Sequence, residues 1–358
     1  MKHNLRRAIA AAAASLAVLT SFPMQNLTPD IVAPLTASAT LSGTQKNMIE
    51  VQAATGVKLY FLIDRSYNTC QLTGSDITVE NASFAIPDTI YKYNNIYTVT
   101  SIGHNAFRNQ TKLRSITQGA KHITSIESGA FLGCSNLSSI SLFETTSSGD
   151  SSATVAFIGG SAFKGCTSLK DSSFLQNAQY IDTWAFWGSG LTSVYLRNVR
   201  NIGEAAFYNC TNISGITIYG SNLRNISNFA FYNCSNAGSI SLHDGVEYIG
   251  KSAFMNCSKV TQLSLPSTVK TIDTGAFMNC SRLKKVTTVH VDSIMDHAFF
   301  NCPRITSFKS GYKNTALGDY SLGYSYTNKV EKNDPLHIEA PSGGSVQAYA
   351  TINGFSFN

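Results

Sequence analysis

The sequence predicts a mainly β repeat solenoid of stacked parallel short strands with helical or 3₁₀ turns, capped at both ends. First, an Ala-Phe pair recurs nine times in one frame, and its spacings are 21 to 24 residues except for one of 32. Second, a unit of this size cannot bury its own apolar face, so the copies must stack. Third, apolar residues make up 43% of the chain and recur in register, whereas charged residues make up only 13%. The repeats are marked by Phe107, Phe131, Phe163, Phe186, Phe207, Phe231, Phe254, Phe277 and Phe299.

The N-terminus predicts export. Arg6 and Arg7 precede an apolar run at 8–19, and small residues at 37–39 supply a cleavage site. The run is shorter than the ~20 residues that a membrane helix needs. We therefore interpret residues 1–39 as a signal peptide, and expect no transmembrane segment in the mature chain.

Residues 40–97 are predicted to hold a leader and an N-terminal β cap. Residues 40–56 lack the repeat register and are expected to be loose. From Val57 to Ile63 apolar and polar residues alternate, which is typical of a strand. A solenoid's first coil has nothing to stack on, so an end cap is expected. A separate functional domain is the less favoured alternative.

Residues 98–325 are predicted to form the solenoid, with nine repeats and a degenerate tenth that places Leu322 in the Phe slot. The alternating Leu-x-x-Ile-x-Leu portion of each repeat predicts one short strand, and the Val-x-x-Ile portion a shorter strand on the opposite side. The Ala-Phe segment between them predicts one turn of helix or 3₁₀ helix, with the Phe filling the interior. The Ile five residues before each Phe is unbroken: Ile102, Ile126, Ile158, Ile181, Ile202, Ile226, Ile249, Ile272 and Ile294.

The best copy of the repeat, VEYIGKSAFMNCSKVTQLSLP at 246–266, resembles the BspA-like class of leucine-rich repeats found in bacterial surface and secreted proteins and in some parasitic protists. The resemblance covers roughly residues 57–358. It departs from the pattern where Gln110 and Ser189 replace Cys, and only Pro266 ends a strand as the pattern often does. The resemblance implies a binding or adhesive role outside the cell, and does not imply an enzyme.

Residues 326–358 are predicted to cap the other end as strand, turn, short helix and strand. Ser345 is a good N-cap residue, and Gly354 is a good residue to end the helix. Phe355 and Phe357 can cover the last coil. The chain shows no sorting signal for covalent wall anchoring, so such anchoring is not expected.

The eight cysteines can be interpreted in two ways. An exported chain with an even number of cysteines suggests disulfides. However, seven of them share one slot, three residues after the Phe, and such a ladder of parallel side chains favours buried free thiols. The seven are Cys134, Cys166, Cys210, Cys234, Cys257, Cys280 and Cys302.

No motif predicts a catalytic, cofactor-binding or metal site. The chain has no Cys-x-x-Cys pair, and His290 and His297 lack a zinc-binding pattern, so a polar loop explains them better. Nucleophile, phosphate-loop and dinucleotide motifs are missing too. A pair of glycosidase carboxylates far apart in sequence remains an open alternative. The insertion at 143–154 is either a tolerated polar loop or part of a binding face.

Two sets of residues are candidates for ligand binding. One is the residue directly after the Phe in six consecutive repeats, namely Trp187, Tyr208, Tyr232, Met255, Met278 and Phe300. In earlier repeats this slot holds Arg108, Leu132 and Lys164, so the fold does not require an apolar residue there. If exposed, the stripe predicts a partner surface; if packed, it belongs to the core. The other set projects from the strand face: Tyr195, Tyr219 and His243.

These observations favour a secreted, non-enzymatic binding protein, an adhesin or recognition scaffold for extracellular protein or glycan ligands of host matrix, host cells or other microbes. Non-covalent surface association stays open. A net charge of +6 without a strong basic patch does not predict nucleic-acid binding. The alternatives are a structural cell-envelope component that packs with wall proteins and, less favoured, a secreted hydrolase.

Overall fold

A computed structural model describes residues 47–118, 121–142, 155–220, 222–326, 329–333 and 335–358. The predicted signal peptide and the insertion at 143–154 lie outside these residues. Residues 47–326 and 331–358 form one compact unit.

The N-terminal part is a block of longer strands. They are β1 (Met48–Ala54), β2 (Val57–Asp64), β3 (Thr69–Ile77), β4 (Ala82–Ala85), β5 (Thr89–Lys92) and β6 (Asn95–Ile102). Strands β1, β2 and β3 are antiparallel neighbours, β3 pairs in parallel with β6, and β5 forms an antiparallel hairpin with β6. Strand β1 differs from the loose leader expected there, because Ile49 is buried and its backbone pairs with β2.

One wall of the solenoid is a parallel sheet of very short strands at the Ile slot. They are β8 (Ser125–Ile126), β10 (Phe157–Ile158), β11 (Tyr180–Ile181), β13 (Asn201–Ile202), β15 (Asn225–Ile226), β17 (Tyr248–Ile249), β19 (Thr271–Ile272), β21 (Ser293–Ile294) and β23 (Ala316–Leu317). Each Ile pairs with the Ile of the next coil, and the last, Ile294, pairs with Leu317 of the degenerate tenth repeat. The predicted second strand of each repeat is therefore confirmed.

The opposite wall carries the Leu-x-x-Ile-x-Leu strands of the repeats, followed at its C-terminal end by two strands from residues 335–358. They are β7 (Leu113–Gln118), β9 (Ser139–Ile140), β12 (Val194–Leu196), β14 (Gly215–Ile218), β16 (Ser239–Leu242), β18 (Gln262–Ser264), β20 (Lys285–Thr288), β22 (Ser307–Ser310), β26 (His337–Glu339) and β27 (Ser356–Phe357). They form three sheets in the orders β4-β7-β9, β12-β14-β16 and β18-β20-β22-β26-β27. Near the C-terminus lie β24 (Tyr324–Tyr326) and β25 (Val330–Lys332). The predicted mainly β solenoid of parallel strands is confirmed.

The repeat Phe side chains fill the space between the walls as one continuous stack. Their ring centroids are 4.9 to 5.2 Å apart and adjacent rings are within 10° of parallel from Phe107 to Phe299. All nine rings are fully buried. The stack couples each coil to both neighbours through apolar burial and ring contact.

The Ala-Phe segment is a series of tight turns rather than the expected helical turn. In the first repeat, Ala106 donates to the Gly103 carbonyl three residues back, while the Phe107 N–H bonds the next coil, at the Ala130 carbonyl 2.7 Å away. Asn105 and Asn109 have φ of 56° and 58°. These left-handed residues interrupt any helix and turn alternate N–H groups toward the neighbouring coil. A 3₁₀ turn occurs at Ser173–Leu175, where the third repeat is predicted to have its Leu-x-x-Ile-x-Leu strand, and the described residues 155–193 contain no such strand.

Residues 335–358 include a helix, α1 (Ser345–Asn353), followed by Gly354 in the left-handed conformation with φ of 67°. The predicted helix end is thus present. Ser345 is not the N-cap residue, however: Gly344 occupies that position, and the Ser345 hydroxyl donates to the Thr315 carbonyl at 2.7 Å. The serine therefore ties the helix to the last coil rather than capping its own N–H groups.

The cysteines form a ladder of buried thiols without disulfides in the described chain. From Cys134 onward, each thiol of the repeat slot donates to the carbonyl of the Phe in the preceding coil, at 2.8 to 3.5 Å. Burial raises the pKa of Cys134 and Cys257 to about 12. The thiols therefore act as small apolar side chains that satisfy a backbone acceptor of the neighbouring coil.

We expect a thiol reagent to detect essentially none of the eight cysteines in the native protein and all eight after denaturation without reductant. Burial and raised pKa both suppress the reactive thiolate. Counting thiols with a chromogenic disulfide reagent, with and without denaturant, measures this directly. Fewer than eight thiols after denaturation would show disulfides instead.

Candidate binding surface

Three aromatic side chains of the predicted stripe form a stacked row on the outside of consecutive coils. The Trp187 and Tyr208 rings are 4.4 Å apart, and the Tyr208 and Tyr232 rings are 4.5 Å apart with only 7° between their planes. Each side chain is half-buried. The repeat explains this arrangement. The Phe side chain of each coil points into the interior, and the residue directly after it lies at the equivalent position on the outside of every coil.

Two further residues extend this row at its N-terminal end. Trp184 packs edge-on against Trp187 at 5.9 Å, and the Lys164 ammonium lies 4.8 Å from the Trp187 ring centre and 5.2 Å from that of Trp184. Burial lowers the pKa of Lys164. We call Lys164, Trp184, Trp187, Tyr208 and Tyr232 the aromatic ladder. The sequence did contain a signal for Lys164, because it occupies the same repeat slot as the aromatic residues, one coil earlier.

At the centre of the ladder, Tyr208 presents its ring edge and hydroxyl to a ligand rather than its ring faces. Tyr208 is covered on both faces by Trp187 and Tyr232, and the Lys164 cation lies over Trp187. Burial raises the pKa of Tyr208 to about 12, with a smaller contribution from Tyr232, so its hydroxyl stays protonated. A row of half-buried rings with phenol groups offers apolar contact together with directional hydrogen bonds, a combination common at protein interfaces.

The other three residues of the stripe are packing residues. Met255, Met278 and Phe300 are only 3 to 4% exposed. His297 lies edge-on to Phe300 at 5.1 Å, and the side chain of Met278 borders Gly275. Because neighbouring residues cover these side chains, the candidate surface no longer includes them.

The strand-face candidates also come together. Tyr219 and His243 stack at 4.0 Å, and Tyr195 meets Tyr219 at 5.3 Å with 63° between the rings. The Arg197 guanidinium lies 5.3 Å from the Tyr195 ring centre. Tyr195, Tyr219 and His243 constitute the strand-face group. It belongs to β12, β14, β16 and the residues that follow them, whereas the aromatic ladder belongs to the turns.

Among the described residues, three further features concern metal-ligand clusters, ion pairs of histidine and membrane-spanning helices. These residues contain no cluster of three or more His, Cys, Asp or Glu side chains that could hold a metal ion. His290 pairs with Asp292 at 3.3 Å on the surface, and burial lowers the pKa of His297. No described helix is long and apolar enough to cross a membrane.

The sequence matches a known family of repeat proteins. The sequence profile of the BspA type leucine rich repeat region, with six copies, matches residues 61–153, 145–222 and 200–329. No curated protein matches the sequence.

Several solved structures are similar to the chain. A leucine-rich repeat protein from Bacteroides ovatus is 19% identical over 78% of this chain and 83% of that one, with a TM-score of 0.46. A leucine rich cell surface protein from Faecalibacterium prausnitzii is 22% identical over 73% and 88%, with a TM-score of 0.34. The pneumococcal vaccine antigen PcpA is 18% identical over 86% and 98%, with a TM-score of 0.37.

Proposed function

The chain belongs to the BspA type leucine-rich repeat family, and from this premise we propose that it is an exported, non-enzymatic binding protein. It acts as an adhesin or recognition scaffold that presents its solenoid surface to an extracellular ligand, and the aromatic ladder is the primary contact surface. The observation that carries the proposal is the row of half-buried rings across consecutive coils in a slot where other repeats place Arg108 or Leu132.

The chemistry of the ladder favours a protein ligand over a glycan. Sugar recognition through aromatic residues uses free ring faces, whereas the faces of Tyr208 are occupied by its neighbours. Ring edges, tyrosine hydroxyls and the Lys164 ammonium suit the mixed apolar and polar surface of a protein. Tyr and Trp are also the side chains that most often dominate binding energy at such interfaces.

Replacing Trp187, Tyr208 and Tyr232 together with Ser is expected to weaken binding to an immobilised matrix protein by about tenfold or more. Surface plasmon resonance on purified extracellular-matrix proteins, together with a glycan array, measures this loss of binding. The variant removes four ring contacts, namely two within the row and one each to Trp184 and Phe229, so the unfolding free energy should fall by about 2–6 kcal/mol. A much larger loss would assign these rings to the core.

The matched control is the strand-face double variant Tyr195→Ser and Tyr219→Ser, which also removes half-exposed tyrosines. It should bind as the wild type does. If this variant loses binding while the ladder variant keeps it, the contact surface is the strand face instead. Binding only to the producer's own envelope proteins would favour a structural envelope component.

A further inference from the structure

The N-terminal block carries a second exposed aromatic surface, outside the repeat frame. The turn between β2 and β3 and the turn between β5 and β6 lie side by side: the Asn95 side chain donates to that of Asn68, and the Thr98 N–H donates to the Asn68 carbonyl at 2.9 Å. Across this junction the Arg65 guanidinium lies 4.6 Å from the centre of the Tyr93 ring. The two turns therefore present one joint surface.

Large apolar side chains on this surface are strongly exposed. Tyr67 is 79% exposed, Tyr91 68%, Ile96 57% and Tyr93 55%. With about 200 Å² for a whole aromatic side chain, they expose roughly 400–500 Å², as much as the largest apolar patch of a typical monomer. We call these four residues with Arg65 and Lys92 the tip surface.

The hairpin explains why these side chains face outward. Ile90 and Tyr97 form one cross-strand pair and are buried, while Tyr91 and Ile96 form the next pair and point to the opposite side. A cross-strand pair of this kind stabilises a hairpin by about 0.2–1 kcal/mol, which gives Tyr91 and Ile96 a structural role. This pairing gives no structural role to Tyr67, which lies in the turn between β2 and β3.

The backbone is strained at Tyr93, in the turn between β5 and β6. Tyr93 and Asn94 both have positive φ, 53° and 54°, as a two-residue hairpin turn requires. Asn is tolerated there, but a bulky residue such as Tyr is an outlier, and strain of this kind gathers at binding sites. The Tyr91 hydroxyl donates to the Asn94 side chain at 3.2 Å and helps to fix the turn.

The charge of the tip surface selects the type of partner. Arg65 and Lys92 lie 4.6 and 5.7 Å from the centre of the same ring, that of Tyr93. Within the described residues neither cation forms an ion pair, and the Asp64 side chain is engaged by the Ser66 N–H. Two cations beside exposed rings, without an ion pair among the described residues, match a carboxylate next to an apolar side chain.

We propose that the tip surface is a second binding site, distinct from the aromatic ladder, for an acidic segment of a partner protein. Tyr, Ser and Asn with an Arg form the composition of antibody-like binding loops, in which rigid rings give contact area and polar side chains give directional hydrogen bonds. Ser66, Asn68 and Asn94 supply those polar groups. A lipid surface would not need them, and the turns are held in place before any partner arrives.

The test uses short random peptides displayed on phage and panned against the mature protein, with counter-selection on the variant Tyr67→Ser, Tyr91→Ser, Ile96→Ser. We expect selected peptides to combine Asp or Glu with an aromatic or aliphatic residue. Synthetic copies of these peptides should bind this variant at least about tenfold more weakly than they bind the wild type. They should also bind the variant Arg65→Glu, Lys92→Glu at least about tenfold more weakly. The control variant Tyr180→Ser, Ile352→Ser, which alters exposed side chains elsewhere, should bind as the wild type does.

The proposal is overturned if no peptide prefers the wild type to the tip variant, or if the selected peptides lack acidic residues and ignore the charge reversal. Co-sedimentation with vesicles of phosphatidylserine and phosphatidylcholine that is lost in the tip variant, without peptide binding, would assign the surface to a membrane. Thermal unfolding within about 2 °C of the wild type shows that the variant is folded.

Discussion

Replacing Phe207 with Ala should lower the free energy of unfolding by about 3–5 kcal/mol. Its ring lies between those of Phe186 and Phe231, with centroids 5.2 and 5.0 Å away, and is fully buried. Truncation leaves a cavity between two rigid walls and breaks the stack in both directions. Because each coil is stabilised by its neighbours, a defect in a central coil cannot be confined to one end. Urea denaturation followed by circular dichroism measures the effect.

Two controls define this result. Phe207→Leu keeps most of the buried volume and should cost clearly less than the Ala variant. Tyr180→Ala removes an exposed side chain and should change stability by about 0.5 kcal/mol or less. A loss below about 1 kcal/mol for Phe207→Ala would contradict the stack as the main coupling between coils.

The protein is expected to unfold sharply in alkali, starting above about pH 9. Burial raises the pKa of Cys134 and Cys257 to about 12 and of Cys210 to about 11, from an ordinary value of 9.0. Above pH 9 the unfolded chain therefore loses thiol protons that the folded chain retains. The contribution of the thiols to stability is complete below pH 9 and is lost as the pH rises toward 11–12, at about 1.4 kcal/mol per pH unit for each thiol.

The natural sequence suggests the control for this experiment. Ser189 occupies the cysteine slot in its own coil and is buried beside Cys210, with its hydroxyl 3.3 Å from the thiol. Serine is therefore compatible with the slot and does not ionise in this range. The variant Cys134→Ser, Cys257→Ser should move the alkaline midpoint upward when unfolding is followed by circular dichroism against pH. An unchanged midpoint would show that other groups cause the alkaline transition.

The frame of the fold could be predicted because the same slot is filled in the same way in every coil. The Ile, Phe and Cys positions repeat, and repetition reveals a buried position even without coordinates. The turn conformation could not be predicted, since it depends on residues such as Asn105 and Asn109 taking a left-handed conformation.

The exposure of the slot after the Phe also escaped prediction, because it is decided by a neighbouring side chain. His297 lies edge-on to Phe300, which is buried, whereas Trp184 packs against Trp187 and leaves that ring only half-buried. The tip surface was missed for a different reason. Tyr67 and Tyr93 lie in two turns far apart in sequence and outside the repeat, and only strand pairing brings them together.

The most direct test of the ligand surface uses the fact that the chain has only two tryptophans, Trp184 and Trp187, and that both lie in the aromatic ladder. Protein labelled with 5-fluorotryptophan would be titrated with an unlabelled matrix protein that it binds, and followed by fluorine NMR. If the ladder contacts the ligand, at least one of the two resonances shifts or broadens at the concentrations where binding occurs. Saturated binding with both resonances unchanged would contradict the ladder as the contact surface.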